Sequence, residues 1–109
     1  MSQELTLQER VEIWKKDYKQ VFKTAIEDDI YIWRKLKRSE YREIITMLDE
    51  EYKDDDLMKT WVKQDEITKA VLLYPEDVEA AIEESAGIST VISQDCLIRS
   101  GFGALSQQL

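Results

Sequence analysis

Apolar residues recur at helical spacing between Leu5 and Gln20, where Leu7, Val11, Trp14 and Tyr18 follow one another at intervals of four, three and four. Thr6 stands at the helix start with Glu9 three residues later, the pattern of a capping box. The pattern then changes. Val21–Ile26 and Ile30–Leu36 are rich in β-branched and aromatic residues, and Glu27-Asp28-Asp29 lies between them with turn chemistry at its aspartates. This predicts a β-hairpin in which Phe22, Thr24 and Ile26 share one face. Ser39 opens a second helix with Tyr41, Ile44, Ile45 and Leu48 on its apolar side. Asp54-Asp55-Asp56 caps a third that runs to about Tyr74, where Pro75 breaks it.

Beyond Pro75, Glu76–Ser85 reads as a short acidic helix closed by Ala86-Gly87 in the manner of a glycine cap. Ser89 starts a last helix that Gly101 stops, with Phe102 placed to pack back. The prediction is an α+β, mostly α single domain over residues 1–109, with four or five helices and one β-hairpin. It divides into an N-terminal helix (1–20), the hairpin (21–36), a helical part (39–102) and a loose tail (103–109).

Composition narrows the chemistry. Among 109 residues there is no histidine and one cysteine, Cys96. The commonest general base, the His-activated nucleophiles and imidazole metal ligands are therefore missing, and no intrachain disulfide or paired-cysteine zinc site exists. The net charge of −8 makes the chain a poor partner for nucleic acid and for anionic membranes. No apolar run approaches the roughly 20 residues that cross a bilayer, and Met1–Arg10 lacks a signal-peptide core. A soluble chain made in the cytoplasm is expected.

Three features invite a functional reading, each beside a plainer one. Arg34-Lys35-Leu36-Lys37-Arg38 is the one basic run, and it reads better as a solvated strand end or a patch for an acidic surface than as a nucleic-acid site. Asp54-Asp55-Asp56 lacks the alternating ligands and glycine of a calcium loop, and helix capping explains it. Cys96 falls on the apolar side of the last helix and reads as an inert buried thiol. No catalytic residue, metal, cofactor or small-molecule substrate is expected. Tyr31 and Trp33 share a hairpin face and are candidate interface anchors, and an unpaired strand edge is a template for a partner strand.

Several strings taken together resemble a family of small baseplate hub and tail-assembly proteins of contractile-tailed bacteriophages. They are Ile30-Tyr31-Ile32-Trp33-Arg34-Lys35-Leu36-Lys37-Arg38-Ser39-Glu40-Tyr41, then Ala70-Val71-Leu72-Leu73-Tyr74-Pro75, then Ala86-Gly87-Ile88-Ser89-Thr90 with Arg99-Ser100-Gly101-Phe102. The chain departs from the family pattern at Glu27-Asp28-Asp29 and at Lys35, where many relatives carry glycine and proline.

The resemblance implies a non-enzymatic structural or assembly component of the baseplate, hub or wedge. It would bind other phage tail or baseplate proteins and reside in the virion. The contacts expected on this basis are Tyr31, Trp33, Arg34, Leu36 and Tyr41, with Tyr74, Pro75, Ser100, Gly101 and Phe102 shaping the C-terminal unit. A transient tail-assembly chaperone absent from the particle is the alternative. Less favoured are a small hydrolase, and an acidic regulator that holds a basic host protein through residues 45–85.

Overall fold

A computed structural model describes residues 5–102 together with 106 and 108. The expected tail therefore falls almost wholly outside the described residues. The elements run α1 (Leu7–Tyr18), β1 (Val21–Ile26), β2 (Asp29–Arg34), α2 (Arg38–Glu51), α3 (Asp56–Val71), β3 (Leu72–Tyr74), α4 (Val78–Glu84) and α5 (Gly87–Leu97). A wide turn over Ile98–Phe102 closes the set. This is the α+β, mostly α architecture that the hydrophobic pattern predicts, with five α-helices among the described residues.

Local chemistry accounts for most boundaries. The Thr6 hydroxyl accepts from the Glu9 backbone N–H at 3.1 Å, and the Glu9 carboxylate turns back toward Thr6. Asp55 and Asp77 cap α3 and α4 by accepting from Met58 and Ala80. At α2 the Glu40 carboxylate reaches back to the Lys37 N–H at 2.9 Å, so the helix starts at Arg38, just ahead of Ser39. Gly101, at φ 106°, takes a conformation open to glycine and halts the last turn. Phe102 then folds back, its ring centroid 4.6 Å from that of Tyr41.

The C-terminal half differs from expectation at two places. The third helix ends at Val71, and Leu72–Tyr74 leaves it as a strand antiparallel to β2. A residue ahead of proline is pushed out of the helical region, and the outer edge of β2 offers these residues hydrogen-bond partners. The sheet is thus three-stranded, in the order β1-β2-β3, with an irregularity in register at Ile32/Trp33. In addition, Gly87 does not cap α4. The break comes at extended Ser85 (φ −143°, ψ 107°), and Gly87 is the first residue of α5.

Strand alternation divides the sheet into two faces. Phe22, Thr24 and Ile26 lie with Tyr31 and Trp33 on the face packed against the helices. Their core partners include Ile44, Leu48, Ile67, Val71, Leu72, Ile88, Ile92 and Cys96. Trp33 is fully enclosed at its centre. Its ring stacks on Phe22 at 4.6 Å, and its indole N–H donates to Thr24 Oγ1 at 2.8 Å. Ile32, buried but outside that cluster, belongs to the second face with Arg34. Helix α1 lies over this face. The Arg10 guanidinium sits over the rings of Trp14 and Tyr74, and that of Arg34 over Tyr18.

Candidate functional site

The five residues expected to grip a partner are mostly inside the molecule. Trp33 is 0% exposed, Tyr31 6% and Leu36 7%. Arg34 is occupied within the chain. Its two terminal nitrogens hold the Glu40 carboxylate in a fork at 2.8 Å each, and they also donate to the carbonyls of Lys35 and Ala70. Tyr41 packs on Phe102 and under the Lys63 ammonium. The expectation of a hairpin contact surface built from Tyr31, Trp33, Arg34, Leu36 and Tyr41 is therefore corrected. An aromatic strand face must be covered, and α2, α3 and α5 cover it. Tyr31 also lines a cleft.

These residues form a junction. Cys96 Sγ lies 4.0 Å from the Arg34 carbonyl oxygen and 3.8 Å from Ser100 Oγ, and Ser100 Oγ accepts from the Leu36 N–H at 3.2 Å. Burial pushes the Cys96 thiol up from its ordinary value, so the thiolate needed of a nucleophile is disfavoured. The fork to Arg34 holds the Glu40 carboxyl below its ordinary value, against the opposing effect of burial, with help from the Lys37 N–H.

A depressed folded value means that the unfolded chain binds more protons near pH 4. The stabilisation is complete above the unfolded carboxyl value of about 4.3, and it is lost as pH falls through the folded one. Thermal melts followed by circular dichroism from about pH 7 down to pH 3 should therefore show a shallower acid decline for Glu40→Gln than for the wild type.

What the fold leaves open lies at the other end of the hairpin. A cleft of about 410 Å³ runs between the start of α1, the hairpin tip, the end of β3 and α4. Asp28, Asp29, Asp77 and Glu84 line it, all exposed, and no basic side chain does. None of the four forms an ion pair among the described residues. Asp77 is engaged by its own helix cap, and the nearby Arg10 is held by Glu76. Glu27 turns the hairpin at a left-handed φ of 55°, which sets Asp28 and Asp29 at the mouth. Leu7, Ile30, Pro75, Ala80 and Ala81 supply apolar wall. Tyr31 belongs to the core and also lines the cleft. Burial first, then Asp29, Glu84 and Glu27, push its pKa above the ordinary value.

Sequence reasoning missed this site. Its one signal was the acidic bias after Pro75, which the reading of residues 45–85 as an acidic surface partly contained. A second cleft, of about 390 Å³, lies between α3 and α5 beside Trp61, which is 53% exposed. Among the described residues no group of three or more His, Cys, Asp or Glu converges to hold a metal ion. Nor is any described helix long and apolar enough to cross a membrane.

No family model and no curated protein matches the chain. It is similar in fold to a solved structure, the uncharacterised protein rbstp2171 from Bacillus stearothermophilus. The TM-score is 0.64 and the identity 16%, over 91% of this chain and 98% of that one.

Proposed function

We propose that the chain is a non-enzymatic bacteriophage tail protein, a structural or assembly component of the baseplate that acts by binding other tail proteins. The observation that supports this is the meeting of the resembling strings in space. Arg34 and Leu36 come from the first string, Ala70 from the second and Ser100 from the third. Arg34 donates to the Ala70 carbonyl, and Ser100 accepts from the Leu36 N–H. Residues far apart in sequence that touch one another carry a resemblance of architecture better than scattered matches do.

The surface suits binding. Acid–base cleavage needs at least one carboxyl drawn out of water, and the four at the cleft are exposed. Exposed carboxylates act at the level of charge complementarity, which steers encounter and fixes register.

Mass spectrometry of purified tailed particles, and of tail intermediates isolated before them, tests the proposal. The chain is expected in the particles. Its presence in intermediates alone would assign it the transient chaperone role, and its absence from both would overturn the reading.

A further inference from the structure

We infer that the cleft between the hairpin tip and α4 receives an extended, arginine- or lysine-bearing segment of a partner polypeptide. The carboxylates of Asp29, Asp77 and Glu84 and the hydroxyl of Tyr31 meet its cationic side chain. This rests on the reading of the chain as a protein-binding component and names what that component binds.

Four observations select the occupant. The first is charge. The cleft has carboxylates and no cation, and among the described residues none of its carboxylates is paired. The second is Tyr31, which lines the cleft and whose hydroxyl has no hydrogen-bond partner among the described residues. A tyrosine that seats its ring in the core and lines a cleft can offer its hydroxyl oxygen to an incoming N–H donor. The third is shape. The carboxylates are too dispersed to close around a bare ion, and apolar wall from Leu7 and Pro75 lies beside them. An aliphatic stem ending in a forked or triply donating cation fits both parts. The fourth is the net charge of −8, by which two copies repel each other and a basic partner is drawn in. The turn itself keeps an acidic residue, Glu27, in a conformation that glycine would adopt without strain.

Fluorescence anisotropy with a short labelled peptide of alternating arginine and glycine tests this. The cleft variant is Asp29→Asn/Asp77→Asn/Glu84→Gln, in which asparagine preserves the α4 cap. A control with the same net charge is Glu43→Gln/Glu50→Gln/Glu51→Gln, on the exposed side of α2. The cleft variant is expected to bind about tenfold more weakly, the combined effect of three exposed ion pairs, and more weakly than the control. Tyr31→Phe should weaken binding by about threefold with an unchanged melting midpoint.

Equal weakening in the two triple variants would overturn the inference, since it would reflect overall charge alone. So would failure of the wild type to bind the peptide. Self-association of the wild type that the cleft variant abolishes would also overturn it, making a second copy the occupant. Finding the chain in tail particles without cleft-dependent binding sinks this inference and leaves the proposed function standing. Binding at the cleft by a chain absent from both particles and intermediates does the reverse.

Discussion

Trp33→Ala should lower the free energy of unfolding by about 3–5 kcal/mol, the range for removing a large aromatic side chain from a core. The loss has two parts. The void opens where the indole stacks on Phe22 with no solvent exposure. Thr24 also loses the donor that reaches its hydroxyl at 2.8 Å. Against a typical total of about 5–15 kcal/mol, this leaves little margin. Trp33→Phe keeps one aromatic ring but loses the N–H and part of the indole volume, so it should cost about 1–3 kcal/mol. Urea unfolding of both variants checks the pair of values. A near-wild-type midpoint for Trp33→Ala would place this side chain outside the core.

Arg34→Ala is expected to cost about 2–4 kcal/mol, because it strips partners from two groups at once. The Glu40 carboxylate, about three-quarters buried, loses both arms of its fork, and the Ala70 carbonyl loses its donor. Arg34→Lys should recover only a fraction, since one ammonium cannot span the carboxylate and the carbonyl of another helix together. In the double variant Arg34→Ala/Glu40→Gln, the cost should shrink because no unpaired charge remains below the surface. Chemical denaturation across this set measures the coupling. Additive losses would mean that the two side chains do not act as a unit. Both experiments run against the sequence-based expectation that Trp33 and Arg34 are surface contacts for a partner.

That expectation failed for a definable reason. The alternation of β2 shows that Tyr31 and Trp33 point the same way, but a strand with large residues on both sides does not reveal which side the helices cover. Features set by near neighbours were legible: the Thr6/Glu9 box, the aspartate cap of α3, the hairpin, and Gly101 with its returning Phe102. The third strand was not. Leu72-Leu73-Tyr74 continues an apolar helical run, and a stretch this short reads equally well as the end of a helix. Only the free edge of β2 decides the matter. The acidic cleft was hidden for the same reason, because Asp28 and Asp29 reach the neighbourhood of Asp77 and Glu84 only once β3 has joined the sheet.

The clasp between the Leu36 amide and the Ser100 hydroxyl spans 64 positions and ties the end of the hairpin to the final turn. During synthesis the hairpin emerges early, but its aromatic side has no lasting cover until α3 and α5 have followed and the final turn has closed on Leu36. Until Ser100 has left the ribosome, the nascent chain carries an unfinished, adhesive ribbon. Such a molecule is most exposed to misassociation in the interval between the emergence of the hairpin and that of Ser100.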